Sequence, residues 1–203
     1  MRHTHRTATL CLAIAALLLL TFPAAAKKNA PTTPGTYTDW NGEIDQFEIV
    51  ETFSLADYSK IVVGEFSTDG VELPDPEDNA YEPVQKVLED VRTPIANGIR
   101  KKGPKLPVEV GDGGGEGVLL LRGRILEMNP GSQAARYWGG FGAGAAGTKI
   151  EGELVDAASG RVLVRFTQER RSGTGAFGGG YVELLKRNLH TVGRDVGIGL
   201  KQF

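Results

Sequence analysis

Three glycines near the middle of the chain have the spacing G-x-G-x-x-G that binds dinucleotide phosphates in other proteins: Gly142, Gly144 and Gly147. That site needs a helix to begin at the last glycine, so that backbone N–H groups and the helix dipole face the phosphates. Here the residues from Thr148 to Val155 alternate between polar and apolar, which is typical of a strand. The sequence therefore predicts a connection between strands at this point and no nucleotide site.

Four bulky side chains lie in the same glycine-rich stretch: Arg136, Tyr137, Trp138 and Phe141. Aromatic rings among residues with almost no side chain would form an apolar patch if they were exposed. Such a patch suits a protein partner or a peripheral contact with a membrane. The other interpretation is a mobile or tightly packed connection between strands, and the sequence leaves both open.

Few side chains elsewhere have the chemistry of a catalyst. Cys11 is the only cysteine, and His190 is the only histidine beyond His5. A transition-metal site or a histidine-based nucleophilic site needs more partners than this chain offers. The acidic residues between Asp69 and Asp78 lack the ligand spacing and glycine of a calcium loop. We therefore predict no catalytic residue, no metal and no cofactor.

A hydrolase that uses carboxylates alone is the alternative, because glycosidases place two carboxyl groups on either side of the bond they cleave. Glu151 and Glu153 are the candidates, and the alternation predicts both on the exposed face of one hairpin strand. A deep pocket with two carboxylates would favour the enzyme, and a pocket-poor domain would favour a binding module.

The first 26 residues are predicted to be a secretory signal peptide, cleaved after Ala26. Arg2 and Arg6 precede an apolar run from Leu10 to Phe22, and three alanines close the segment. Cys11 lies inside the apolar run, where a lipid-attachment cysteine is not found. We therefore expect a periplasmic protein without a membrane-spanning segment after cleavage.

The predicted mature chain is mildly acidic. Loss of Arg2 and Arg6 changes the net charge from −2 to −4, and without a basic block this argues against nucleic acid as a partner. Residues 27–58 are predicted to be a leader that is partly disordered, and residues 59–203 a single α/β domain.

The apolar pattern of residues 59–203 predicts an α/β (α+β) fold, with a mixed sheet of about five strands and two packed helices in the order β-α-β-β-β-β-α. Ile61 to Val63 reads as a central strand. Apolar spacings of three and four residues predict helices over 84–99, kinked at Pro94, and over 182–200. Gly193 and Gly197 would let the final helix lie close to the sheet.

The hairpin after the glycine-rich stretch has the most constrained predicted register. Pairing Leu154 with Val162 places Glu151 opposite Arg165, which would form an ion pair on the exposed face. The predicted turn runs from Asp156 to Gly160.

The glycine-rich stretch, followed by Val155-Asp156-Ala157-Ala158-Ser159-Gly160-Arg161-Val162-Leu163, resembles the bacterial envelope family known as domain of unknown function 4410. The resemblance covers roughly residues 58–203. It implies an exported protein whose fold is similar to the periplasmic modules of the curli-secretion lipoprotein and of the TolB amino-terminal domain. It implies no catalytic residues. We therefore expect a non-catalytic periplasmic protein that binds another protein or an envelope component.

Overall fold

The computed structural model of the protein describes residues 30–131, 144–172 and 180–203. Within these ranges one sheet contains seven strands, in the spatial order β1-β2-β7-β6-β5-β3-β4. The strands are β1 (Gly35–Trp40), β2 (Ile44–Ile49), β3 (Lys60–Ser67), β4 (Val108–Val110), β5 (Val118–Asn129), β6 (Ala146–Asp156) and β7 (Val162–Ser172). β3 is parallel to both β4 and β5, and the other neighbours are antiparallel. The predicted mixed α+β architecture is confirmed.

Three α-helices accompany the sheet in the described part of the chain: α1 (Tyr81–Leu88), α2 (Arg92–Lys102) and α3 (Tyr181–Leu200). The core lies between the helices and one face of the sheet, where Ile61, Leu121, Ile150, Leu185 and Leu189 are fully buried. None of the three described helices lies over the other face of the sheet, and polar side chains alternate outward there along the central strands.

The prediction of about five strands and two helices is wrong in detail. The two additional strands, β1 and β2, form a hairpin that pairs with β7 through β2. Asn41 and Gly42 form its turn with φ of 56° and 67°, and Glu43 N donates to Trp40 O at 3.1 Å. Trp40 pairs with Ile44, so three residues connect the two strands. Asn and Gly are residues that tolerate positive φ in turns, so this Asn-Gly pair was the overlooked signal.

An aromatic cluster fixes the β1–β2 hairpin to the rest of the fold. Trp40 stacks on Phe47 with ring centroids 4.1 Å apart, and Phe203 stacks on Phe53 at 4.4 Å. Trp40 and Phe203 are themselves 5.9 Å apart. Residues near both ends of the described chain therefore pack together against the helix side of the sheet.

Two helices occupy the stretch around Pro94, where one kinked helix was predicted. α1 ends at Leu88 and α2 begins at Arg92, which places Pro94 in the first turn of α2. A proline is tolerated there because the N–H groups of the first turn have no partner within the helix. The break therefore removes the cost that an interior proline would impose.

The predicted register of the β6–β7 hairpin is wrong by two residues, although both strands are confirmed. Leu154 pairs with Val164 and Glu153 with Arg165. The turn is one residue longer than predicted, since Asp156 N donates to Arg161 O. A bulge at Leu163 adds the second residue, and its carbonyl accepts hydrogen bonds from Val50 N and Glu51 N.

The glycines of α3 approach α2, and the expectation that they would approach the sheet is wrong. A Cβ added to Gly193 would lie 2.0 Å from the carbonyl oxygen of Ile95. A Cβ added to Gly98 would lie 2.1 Å from His190 O. The two backbones are therefore in direct contact, which only glycine allows at these points.

Across the described residues, none of the helices has the length and apolarity to cross a bilayer.

Candidate functional site: the open face of the sheet

A row of alternating charges crosses four strands on the face that the helices leave open. Arg122 of β5 lies opposite Glu153 of β6, which lies opposite Arg165 of β7, which lies opposite Glu48 of β2. The Nη2 of Arg122 is 3.2 Å from Glu153, and the Nε of Arg165 is 3.1 Å from the same carboxylate. Arg165 Nη1 is 3.5 Å from Glu48. We call these four residues the charged row.

A second row, the mixed row, lies next to it on the same face and combines hydroxyl, amide and charged groups. Its members in spatial order are Ser67, Arg124, Glu151, Thr167 and Gln46, each paired with the next across neighbouring strands. Arg124 Nε donates to Glu151 Oε2 at 2.8 Å. The two rows together present alternating donors and acceptors over five strands.

The two rows line a groove with a volume of about 820 Å³. Its floor includes the backbone at Gly123 and Gly152, which pair directly across β5 and β6. On the helix side, a Cβ added to Gly152 would lie 2.3 Å from Phe166 Cζ, and one added to Gly123 would lie 2.9 Å from Phe66 Cε1. The aromatic rings press directly against the strand backbone, so a larger side chain at either glycine would deform the floor.

The charges of the groove are half exposed and nearly balanced. Side-chain exposure ranges from 30% for Glu153 to 60% for Arg124. The hydrogen bond to Glu153 raises the pKa of Arg165 above its already high normal value. Exposed ion pairs contribute little to folding stability. The charged row and the mixed row are therefore expected to add little to the stability of the fold.

The sequence-predicted contact residues Arg136, Tyr137, Trp138 and Phe141 lie outside the described residues, so the contact surface stays a prediction. The described chain resumes at Gly144, three residues after Phe141. Gly147 lies within β6 and is paired with Asn129 of β5. The residue after the glycine spacing therefore continues a strand, and the helix that a dinucleotide site needs does not begin at Gly147.

Glu151 and Glu153 lie on the open face, as the alternation predicted, but each is next to an arginine. The predicted ion pair between Glu151 and Arg165 is wrong, because Arg165 lies opposite Glu153 and Glu151 pairs with Arg124. The sequence analysis also missed the two rows. The signal was present, because Arg122 and Arg124 alternate with Gly123 and Ile125 in the preceding strand. Only the strand order brings these arginines next to the two glutamates.

The turn between β6 and β7 is a second polar site. Asp156 accepts hydrogen bonds from Ser159 N at 2.8 Å and Ser159 Oγ at 2.7 Å, and these bonds lower the pKa of Asp156. Tyr58 donates to the same carboxylate at 3.2 Å. Burial, with the charge of Asp156, raises the pKa of Tyr58 to about 12. The phenol therefore keeps its proton, and we interpret this site as a structural clamp on the turn.

A buried ionic cluster joins α3 to the hairpin strands, and sequence analysis missed it. Asp195 is fully buried and accepts hydrogen bonds from Arg170 Nε at 2.6 Å and Gln168 Nε2 at 3.1 Å. Arg194 donates to its other oxygen at 2.8 Å. Arg170 also lies 3.4 Å from Asp45 of β2. Arg170 is thus part of the interior, away from the exposed Arg171.

His190 lies partly buried on α3, near two cations. Burial lowers the pKa of His190, and the charges of Lys101 and Arg194 lower it further. We expect Lys101→Gln to raise this pKa, measured by NMR titration of the imidazole protons. Because folding lowers the pKa of His190, the folded protein favours the neutral imidazole. The contribution of this preference to the free energy of unfolding is fully present above the unfolded-state pKa, and it is lost as the pH falls through the lower folded-state pKa.

Lys102→Gln is the matched control, since Lys102 does not contribute to the shift of His190. Equal His190 pKa values in wild type and Lys101→Gln would contradict the electrostatic cause.

The acidic loop between Asp69 and Asp78 uses its carboxylates locally. Asp69 accepts from Ser67 Oγ, and Asp75 accepts from Glu77 N. Over the ranges the structure covers, no three carboxylate, histidine or cysteine side chains converge as a metal site would require.

Comparison with known proteins identifies a family and two similar folds. The family model described as "Domain of unknown function (DUF4410)" matches residues 55–176. The PelC dodecamer from Paraburkholderia phytofirmans has 17% identity, covering 73% of this chain and 96% of that chain, with a TM-score of 0.46. Protein XCC0632 from Xanthomonas campestris, assigned to DUF330, has 14% identity, covering 70% and 84% of the two chains, with a TM-score of 0.39. No curated protein sequence matches the chain.

Proposed function

The chain belongs to the family described as Domain of unknown function (DUF4410), and from this premise we propose that it is a non-catalytic periplasmic protein that binds another envelope protein through the open face of its sheet. Export would depend on the signal peptide at residues 1–26. The observation that carries the proposal is the charged row, in which Arg122, Glu153, Arg165 and Glu48 face one another strand by strand.

The geometry of the groove supports protein recognition. Its lining alternates between positive and negative side chains at the spacing of neighbouring strands, about 4.8 Å. A partner must place opposite charges at the same spacing, and a wrong partner would bring like charges together. Such a surface selects a partner by its charge pattern, and the mixed row adds hydrogen-bonding groups beside it.

The carboxylate hydrolase is the weaker candidate. A general acid must hold a proton at neutral pH, which enzymes achieve by burying a carboxyl group in apolar surroundings. Glu151 and Glu153 are instead 43% and 30% exposed, and each is next to an arginine. Neither has the environment that a proton donor requires.

Inversion of the charged row tests the proposal. The variant R122E/E153R/R165E/E48R reverses all four charges, keeps the net charge, and retains opposite charges between neighbouring strands. We expect an unfolding midpoint near that of the wild type, because exposed pairs contribute little. Capture of the wild-type partner from a crosslinked cell envelope should be lost.

Two outcomes would count against the proposed function. Capture of the same partner by the inverted variant would show that the row does not select it. A hydrolytic activity of the wild type that Glu153→Gln abolishes would favour the hydrolase. Ser67→Ala controls for the effect of preparing and capturing a variant protein. It removes one hydroxyl group at the end of the mixed row and should reduce capture only slightly.

A further inference from the structure

The helix side of the molecule carries a group of cations without ion-pair partners. On the sheet, Arg122, Arg124 and Arg165 each form at least one ion pair. In α2, α3 and the residues that follow them, seven cations form none with any described residue, and one of these, Arg100, is bound to the carbonyl oxygen of Val108. The other six residues are the basic face: Lys101, Lys102, Lys105, Lys186, Arg187 and Lys201.

The packing of the two helices brings these residues together. Gly98 of α2 contacts the backbone of His190 and Arg194, and Gly103 contacts Gly197. The end of α2 therefore lies beside the second half of α3. Lys101 of α2 lies close enough to α3 for its charge to lower the pKa of His190. His190 lies about one turn of α3 after Arg187. The basic face thus spans both helices, from Arg187 to Lys201, over about 21 Å of helix length.

Negative charge is scarce on α2 and α3, whereas α1, which packs beside α3, carries the exposed Glu82 and ends next to the exposed Glu89. Among the exposed and partly exposed described positions of α2 and α3, Glu183 in the first turn of α3 is the only carboxylate. Arg194 forms ion pairs with Asp195 and Glu43, so it is not counted in the basic face. The whole chain carries a net charge of −2. The positive charge of the basic face therefore comes from where the cations lie in the fold, and not from an excess of Lys and Arg in the sequence.

We propose that the basic face docks the protein on an anionic lipid surface. Six cations on the outer side of a two-helix layer match the charge of a bilayer that contains anionic headgroups, and each cation near such a surface strengthens binding about fivefold. An interfacial helix needs a broad apolar face to insert, whereas the apolar side of α3 is buried against the sheet. Binding should therefore be electrostatic and peripheral.

This orientation leaves the groove free. The helices cover one face of the sheet, and the charged row lies on the other. A molecule held by its basic face would present the charged row away from the bilayer. Lipid docking does not depend on the proposed function, because it uses none of the groove residues.

Sedimentation with vesicles tests the proposal. We expect the purified chain to bind vesicles of phosphatidylcholine with phosphatidylglycerol, and not vesicles of phosphatidylcholine alone. The double variant K101Q/R187Q should bind the anionic vesicles about 25-fold more weakly, because two cations are lost. Both side chains are exposed and form no ion pair in the described structure, so the unfolding midpoint should not change.

The matched control removes two cations from the opposite face. R122Q/R124Q has the same net charge as K101Q/R187Q, and it should bind anionic vesicles like the wild type. The proposal is overturned if the wild type does not bind anionic vesicles, if it binds neutral vesicles equally well, or if the two double variants lose the same affinity. Loss of envelope-protein capture by R122Q/R124Q with intact vesicle binding would separate the two surfaces.

Discussion

Replacement of Asp195 by alanine is expected to lower the free energy of unfolding by about 3–5 kcal/mol. The carboxylate is fully buried and accepts from Gln168, Arg170 and Arg194. Removing it leaves the Arg170 guanidinium, 24% exposed, without its closest anion. Since small domains are stable by about 5–15 kcal/mol, urea denaturation at neutral pH should show a large loss.

The same change should loosen the β1–β2 hairpin. Arg170 donates to the carbonyl of Glu43 and lies near Asp45, so it links α3 to the start of β2. Hydrogen exchange of β2 amides should therefore accelerate more than exchange in β3. Glu151→Ala is the control, because it breaks an exposed pair and should cost at most about 1 kcal/mol. Equal losses in the two variants would contradict the buried role of Asp195.

Replacement of Gly193 by alanine is expected to cost about 2 kcal/mol, the upper end of the overpacking cost less the gain in helix propensity. The added Cβ would lie 2.0 Å from the oxygen and 2.7 Å from the carbon of the Ile95 carbonyl, with the Ile95 Cα at 2.9 Å. These are backbone atoms, so the clash can be relieved only by moving α2 away from α3. Overpacking of this kind usually costs about 1–3 kcal/mol, and it exceeds the gain of about 1 kcal/mol from the higher helix propensity of alanine.

Thermal unfolding measures this cost directly. A loss of about 2 kcal/mol corresponds to a decrease of roughly 4–8 °C in Tm for a chain of this size. Thr191→Ala, on the partly exposed side of the same helix, should leave Tm nearly unchanged. A Gly193→Ala protein with wild-type Tm would show that the helices do not touch at this glycine.

Local patterns predicted the elements whose apolar faces are regular. The spacing from Leu185 to Leu200 defined α3, and the β-branched run Ile61 to Val63 defined a strand buried on both faces. Pro107 directly precedes the short β4, which lies at an edge of the sheet, where a proline is tolerated. In each case one periodicity, or one proline, determines which positions can be buried.

The errors arose where the deciding interaction is distant in sequence or breaks a regular pattern. The register of β6 and β7 depends on the bulge at Leu163, whose carbonyl is bound by Val50 and Glu51. A register predicted from the alternation of polar and apolar residues assumes that neither strand contains a bulge. Nothing near Asp195 or Arg170 in the sequence reveals a partner 25 residues away, so the ion pair between them was missed.

The candidate site was predictable only in part. Alternation identified the exposed side of β6 and placed Glu151 and Glu153 on it. Their arginine partners in β5 follow from the spatial neighbourhood of β5 and β6, which a single sequence does not reveal. Glu48 required the β1–β2 hairpin, which the Asn41–Gly42 turn would have indicated.

Site-specific photo-crosslinking in cells is the most direct test of the open face as the binding surface. A photoreactive residue at Thr167, in the mixed row beside Arg165, should crosslink to one envelope protein. The same residue at Thr191, on the helix side, should not crosslink to that protein. Crosslinks to the partner from position 191 but not from position 167 would contradict the account.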